Sequence, residues 1–170
     1  MRIGVDIDDT IVETTDFIKY YLGLYYPSYS CYRDLPKSDF DDFIDKMLNN
    51  LYKYEIIKKH VPYVFRELKK LGHTIIFITA RGDLGNFYDE YTRKYLAYYD
   101  IPYDDIIYKA VDKGAIAKEN KIDLFIDDKV DMCDLAAKVG CDVIHIAGKG
   151  KTDYKEFSNW LDILDYINSK

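Results

Sequence analysis

Long apolar stretches are absent from this chain of 170 residues. No run approaches the roughly 20 apolar residues that a membrane-spanning helix needs. The opening residues, MRIGVDIDD, turn acidic before the apolar segment of a signal peptide could form. We therefore expect a cytoplasmic protein without a membrane segment, and the length suits one well-packed domain.

Cysteine and histidine are scarce and scattered. The chain contains Cys31, Cys133, Cys141, His60, His73 and His145. The odd number of cysteines and the absence of a CxxC pair disfavour structural disulfides and a zinc site. The histidines lack the spacing of metal ligands, so we interpret them as packing or surface residues.

Excess positive charge is also lacking, because the net charge is -6 and the isoelectric point is near 5.1. Such a chain has no overall electrostatic attraction to nucleic acid or to an anionic membrane. A duplex nucleic acid is therefore disfavoured as a partner.

Short β-branched runs alternate with amphipathic helical stretches along most of the chain. We predict five strands, at residues 2–7, 74–79, 105–108, 122–127 and 141–147, and a final helix over the tail DYKEFSNWLDILDYINS. This alternation is typical of an α/β fold in which helices cover both faces of a parallel sheet. Ligands of such sheets bind at the carboxyl ends of the strands.

Residues 14–60 interrupt this alternation, because they contain helical patterns and no convincing strand. We predict a helical insertion over these residues, which we call the insert. The remaining residues, 1–13 and 61–170, are expected to form the core domain.

Polar side chains lie at the ends of three of the predicted strands. They are Asp6 and Asp8 at the end of the first strand, Thr79 and Arg81 at the end of the second, and Asp127 and Asp128 at the end of the fourth. Clustered carboxylates repel one another, so they need a cation, a proton or water. Oxygen ligands of this kind suit Mg²⁺, and a hydroxyl such as Thr79 with an ammonium such as Lys113 can hold a phosphate.

These residues carry a family resemblance. The segments DIDDT, ITAR and FIDD, with a lysine that opens a helix before FIDD, resemble the four motifs of the haloacid dehalogenase-like (HAD) phosphohydrolases, in order. The resemblance implies a Rossmann-like three-layer sandwich with a five-stranded parallel sheet, and the insert resembles a C1-type cap. The chain looks most like the 5'-nucleotidase and 5'(3')-deoxyribonucleotidase branch.

The resemblance also implies roles for the acidic residues. Asp6 would be the nucleophile that forms an aspartyl phosphate, and Asp8 the general acid and base. We expect neighbouring carboxylates to raise the pKa of Asp8 for that task. Mg²⁺ would be held by Asp6, the backbone carbonyl of Asp8 and Asp127, with Asp128 binding it directly or through water.

The remaining motif residues would contact the phosphate. Thr79 would donate to a phosphoryl oxygen, and Arg81 would either contact substrate or pair with a surface carboxylate. We choose Lys113 over Lys109 as the motif lysine, because it opens the helix that leads to FIDD. Thr10 is interpreted as a residue that stabilises the turn.

The substrate is expected to be a small phosphomonoester, with (deoxy)nucleoside monophosphates favoured. Aromatic residues of the insert, namely Phe17, Tyr20 and Tyr21, could stack on a nucleobase. Another small phosphorylated metabolite fits nearly as well, whereas the acidic charge disfavours a polynucleotide 3'-phosphatase. We expect a monomer or a homodimer.

A different functional class shares some of these features. A phosphoacceptor signalling domain also gathers acidic residues, a threonine and a lysine at the edge of a parallel sheet. In such domains the acceptor aspartate lies on the third strand, whereas here the DxD pattern comes first. A non-catalytic phosphate-binding module is also conceivable, but every motif residue is present.

Overall fold

A single parallel sheet organises the chain. The computed structural model describes residues 1–54, 56–82 and 87–170. Within these ranges, six strands pair in the order β3-β2-β1-β4-β5-β6, and all neighbours are parallel. The strands are β1 (Arg2–Val5), β2 (Thr74–Ile78), β3 (Asp105–Ile107), β4 (Leu124–Lys129), β5 (Asp142–Lys149) and β6 (Lys155–Phe157).

Helices cover both faces of this sheet, as the alternation predicts. They are α1 (Thr14–Tyr25), α2 (Lys37–Tyr54), α3 (Val61–Lys70), α4 (Phe87–Tyr98), α5 (Lys113–Glu119), α6 (Val130–Lys138) and α7 (Trp160–Asn168). Successive strand side chains point to opposite faces, so Ile75 and Phe77 of β2 join the core beneath α3 and α7, whereas Ile76 and Ile78 join the one beneath α5 and α6. Across the described ranges, no helix combines the length and the apolar character that crossing a membrane requires.

The sixth strand corrects the prediction of five. β6 occupies residues that we assigned to the start of the final helix, and it pairs with β5 at the edge of the sheet. Lys155 and Glu156 are exposed, and a three-residue edge strand leaves little apolar alternation to detect. The helix begins later, where the Asn159 side chain accepts a hydrogen bond from the Leu161 amide at 3.0 Å.

The insert has a small core of its own. Helices α1 and α2, with the 3₁₀ turn Tyr32–Asp34 between them, bury a cluster that includes Phe17, Tyr21 and Phe43. The chain leaves and re-enters the core domain side by side, because Val12 and Ile57 form an antiparallel bridge. The division into a core domain of residues 1–13 and 61–170 and an insert of residues 14–60 stays a prediction.

The close contact between α5 and α6 depends on a glycine. A Cβ atom at Gly114 would lie 2.5 Å from the backbone oxygen of Leu135 in α6. Gly114 follows Lys113 directly, so this packing also fixes the start of α5, where the predicted motif lysine lies.

We predict that Gly114→Ala lowers the free energy of unfolding by about 1–3 kcal/mol through overpacking. Gly23→Ala is the matched control, because a Cβ atom there would meet nothing within 4 Å. Alanine at this position, in the last turn of α1, should not destabilise the protein and should stabilise it by at most about 1 kcal/mol. Urea unfolding of both variants checks this, and equal stability of Gly114→Ala and the unmodified protein would contradict it.

Candidate active site

Three carboxylates meet where β1 and β4 lie side by side. Asp6 follows β1 directly, and its amide donates to the Ile126 carbonyl of β4 at 3.0 Å. Asp127 and Asp128 end the buried part of β4. One carboxylate oxygen of each aspartate lies within 4.8 Å of the other two, and all three residues are buried. We call Asp6, Asp127 and Asp128 the acidic edge.

A buried ammonium joins two members of the acidic edge. Lys113 Nζ lies 2.5 Å from Asp6 Oδ1 and 2.7 Å from Asp127 Oδ2. The lysine is the first residue of α5, whose N-cap Asp112 accepts from the Ala115 amide at 2.9 Å. Lys109 is exposed to solvent. Lys113 is therefore the one of these two lysines that reaches the acidic edge.

The acidic edge is electrostatically unfavourable by itself. Burial raises the pKa of Asp6 to about 7, although the nearby Lys113 opposes this. Burial likewise raises the pKa of Asp128 to about 6, and the charge of Asp6 adds to the effect. The pKa of Asp127 is also raised by burial. Lys113 thus compensates the three carboxylates only in part.

The donor set of the acidic edge fits Mg²⁺. Three close carboxylate oxygens are hard ligands of the kind that Mg²⁺ takes together with phosphate and water. The raised pKa values of Asp6 and Asp128 indicate that the ionised cluster needs more positive charge than Lys113 supplies. The expected contribution of the Asp8 backbone carbonyl stays a prediction.

Asp8 is not part of the acidic edge, and its carboxylate pairs with an arginine. Arg81 Nη2 lies 2.6 Å from Asp8 Oδ1, and Arg81 Nε lies 2.9 Å from Oδ2. The Thr14 hydroxyl, at the start of α1, donates to the same carboxylate at 2.6 Å. Burial raises the pKa of Asp8, but these contacts outweigh it and lower the pKa below its ordinary value. Our expectation of a raised pKa is therefore wrong for this arrangement.

Arg81 and Thr79 lie together after β2, as predicted. Both are buried, and the Thr79 hydroxyl accepts from the Arg81 amide at 3.2 Å. The Thr79 hydroxyl is the acceptor in this bond, so the bond does not use the hydrogen of that hydroxyl. The Arg81 guanidinium also donates to the Thr92 hydroxyl of α4 at 3.3 Å. Arg81 thus pairs with the Asp8 carboxylate of the site.

Thr10, which we interpreted as a turn-stabilising residue, also contacts the acidic edge directly. Its buried hydroxyl lies 3.3 Å from Asp6 Oδ2 and 3.4 Å from Asp128 Oδ1, and it accepts from the Asp128 amide at 3.2 Å. The Thr10 carbonyl accepts from the indole of Trp160 at 3.3 Å. That contact joins residues 150 positions apart, so no local pattern could have indicated it.

A cleft of about 720 Å³ lies between the insert and this edge of the sheet. Its walls include Asp8, Arg81 and Asp128 from outside the insert and Ile18, Tyr32 and Phe40 from the insert. Polar groups and aromatic rings therefore share one concave surface, as in many small-molecule sites.

The three aromatic residues predicted to contact substrate lie elsewhere. Phe17 and Tyr21 are buried in the core of the insert, and Tyr20 is 66% exposed. None of them is among the residues that line the cleft. Aromatic spacing along α1 could not distinguish its core-facing side from its cleft-facing side. Their contact with substrate stays a prediction, and Tyr32 and Phe40 are better placed for it.

Comparison with known proteins supports this architecture. No family model matches the sequence, and no curated protein does either. A HAD-superfamily hydrolase from Ehrlichia chaffeensis matches with a TM-score of 0.61 and 16% identity, over 99% of this chain and 96% of that one. A haloacid dehalogenase-like hydrolase from Streptococcus pneumoniae matches with a TM-score of 0.68 and 12% identity, over 98% and 97%.

A third solved structure gives the same result. A HAD phosphatase from Thermococcus onnurineus matches with a TM-score of 0.67 and 13% identity, over 99% of this chain and 98% of that one. At such low identities the likeness establishes the fold. The chain has the Rossmann-like α/β fold of the HAD-superfamily hydrolases, with a six-stranded sheet.

We predict that Lys113→Met destabilises the metal-free protein by about 3 kcal/mol, because removal of one partner leaves buried carboxylates without compensation. Lys109→Met is the matched control, and its effect should stay within about 0.5 kcal/mol, as for other surface substitutions. Chemical unfolding in EDTA measures both values. Equal losses in the two variants would contradict the assignment of Lys113 to the acidic edge.

Proposed function

We propose that this protein is a Mg²⁺-dependent phosphatase that hydrolyses small phosphomonoesters through an aspartyl phosphate on Asp6. The observation that carries the proposal is the meeting of Asp6, Lys113, Asp127 and Asp128 beside the cleft. The HAD-superfamily hydrolases among the structural neighbours, which include a HAD phosphatase, support the same reaction class.

In the first step, a carboxylate oxygen of Asp6 attacks phosphorus. The new oxygen–phosphorus bond forms as the bond to the ester oxygen breaks, and the leaving alkoxide takes a proton from Asp8. The Lys113 ammonium and the Thr79 hydroxyl can hold the phosphoryl oxygens during this transfer. Mg²⁺, when bound by the acidic edge, would neutralise charge on the phosphoryl group.

In the second step, water attacks the phosphorus of the aspartyl phosphate. Asp8 takes the proton of that water, phosphate leaves, and the Asp6 carboxylate is restored. The bidentate contact with Arg81 holds Asp8 as a carboxylate, which is the form that this step requires.

The acid role of Asp8 in the first step requires that it gains a proton. An incoming phosphate is anionic and competes with Asp8 for the Arg81 guanidinium. Both the weaker pairing and the added negative charge raise the pKa of Asp8. Substrate binding would thus prepare Asp8 to donate a proton, and Arg81 would contact both partners in turn.

Within this class, a 5'-nucleotidase acting on (deoxy)nucleoside monophosphates is our favoured assignment. Support for this assignment comes from Tyr32 and Phe40, which line the same cleft as Asp8 and Arg81. Its volume of about 720 Å³ falls in the range of small-molecule sites. A base could stack on the rings while its phosphate lies at the acidic edge.

The proposal predicts that Asp6→Asn abolishes phosphate release with the fold intact. Loss of a catalytic nucleophile typically lowers turnover on the order of 10⁴-fold or more. Asp104→Asn is the matched control, because Asp104 pairs with Lys69 and bonds the Ile75 amide near the start of β2, away from the cleft. Phosphate release from para-nitrophenyl phosphate, with Mg²⁺ or EDTA, measures the effect. Near-normal turnover by Asp6→Asn would overturn the nucleophile assignment.

The nucleotide assignment predicts that Tyr32→Leu raises KM for nucleoside monophosphates by about tenfold, since base stacking contributes about 1–3 kcal/mol. KM for para-nitrophenyl phosphate should change little, because leucine keeps apolar contact with Phe40. Tyr98→Leu is the control at an exposed tyrosine outside the cleft. An equal rise for both substrates would count against a base-binding role for Tyr32.

A panel of ribo- and deoxynucleoside 5'- and 3'-monophosphates and sugar phosphates separates the remaining alternatives. A preference for one nucleotide class supports the nucleotidase assignment. Metal-dependent turnover of sugar phosphates alone would support the proposed phosphatase reaction. It would also show that sugar phosphates, and not nucleotides, are the substrates. No turnover of any ester would favour a binding or signalling role.

A further inference from the structure

A buried histidine contacts the backbone of the acidic edge from the neighbouring strand. His145 lies on β5, is fully buried, and pairs in register with Asp127 of β4. Its Nε2 atom lies 3.0 Å from the Asp128 carbonyl oxygen. Burial agrees with the packing role expected for this histidine, and the contact with Asp128 is an addition that the sequence did not indicate.

The histidine contact coincides with an irregularity in the sheet. After the pair Asp127–His145, the next pair is Lys129–Lys149, so β5 advances four residues while β4 advances two. Such a register shift interrupts the regular ladder around Asp128, and a buried carbonyl needs another donor. The His145 imidazole supplies that donor.

A carboxylate orients the imidazole from its other side. Glu156, on the edge strand β6, has its Oε2 atom 2.9 Å from His145 Nδ1. A backbone carbonyl only accepts hydrogen bonds, so the contact with Asp128 is made by an N–H group at Nε2 of His145. The contacts form a chain from the sheet surface to the acidic edge, through Glu156, His145 and Asp128.

We propose that His145, oriented by Glu156, is a positioning residue that holds the Asp128 backbone and thereby keeps the Asp128 carboxylate in place to bind Mg²⁺. The inference rests on the proposed function, because it assigns a task within the same cation site. Thr10 holds the amide and carboxylate of Asp128, whereas His145 holds its carbonyl. The backbone amide and the backbone carbonyl of Asp128 are thus both hydrogen-bonded.

Binding of Mg²⁺ to the metal-free protein, measured by calorimetry without substrate, tests this role. We expect His145→Leu to raise Kd by about tenfold, since residues that orient ligands contribute 10- to 100-fold in metal affinity. His145→Gln keeps an N–H donor and should stay within about threefold of the unmodified protein. His73→Leu is the control at a histidine that contacts the N-terminal amine.

The outcomes separate this inference from the proposed function. If the unmodified protein binds no Mg²⁺, both are overturned. If it binds Mg²⁺ and His145→Leu binds equally well, the positioning role is wrong and the phosphatase proposal stands. An equal rise in Kd for His145→Leu and His145→Gln would also overturn the role. Glutamine keeps an N–H donor, so such a result would mean that Mg²⁺ binding depends on the shape of the imidazole ring and not on its hydrogen bond to Asp128.

A second variant covers the case in which His145→Leu does not fold, as judged by circular dichroism. Glu156 is 54% exposed, so Glu156→Leu leaves the buried core intact. We expect Glu156→Leu to raise Kd for Mg²⁺ several-fold, at the lower end of the range for orienting residues. Glu119→Leu is the control at an exposed glutamate of α5, and equal Kd values for the two variants would overturn the role of Glu156.

Discussion

The repulsion among three buried carboxylates is the constraint on which the rest of this structure depends. Asp6, Asp127 and Asp128 are close because their strands are adjacent and parallel, and they are buried because helices cover the sheet. Burial weakens the solvation that would stabilise their charges. Lys113 supplies part of the compensation, and its place at the start of α5 depends on the close approach of α5 to α6.

The insert gives the acidic edge a second wall and connects it to Asp8. Thr14 begins α1 and donates to the Asp8 carboxylate, while Arg81 holds that carboxylate from the core domain. The same aspartate therefore contacts both parts of the chain. A phosphate that enters the cleft meets Arg81 beside Asp8, so binding and proton transfer involve the same group of side chains.

The parallel sheet and the proximity of Asp6, Asp127 and Asp128 at its edge could be predicted from the sequence because both follow local rules. Alternation of strands and helices sets the topology, and Asp6 and Asp127 follow from the carboxyl ends of strands. The sequence missed β6, whose three residues carry little pattern, and it missed the lowered pKa of Asp8, which depends on Arg81, 73 positions away. The contacts of His145 and Thr10 with Asp128 are likewise set by tertiary structure, 17 and 118 positions apart in the chain.

The central claim is that Asp6 becomes phosphorylated during turnover. The direct measurement is acid quenching of the protein with a phosphomonoester and Mg²⁺, followed by borohydride reduction and peptide mass spectrometry. An acyl phosphate on Asp6 is reduced to a homoserine residue, so the account predicts homoserine at position 6 and an unmodified Asp8. Phosphate release without any modified aspartate, or with the modification at another residue, would contradict it.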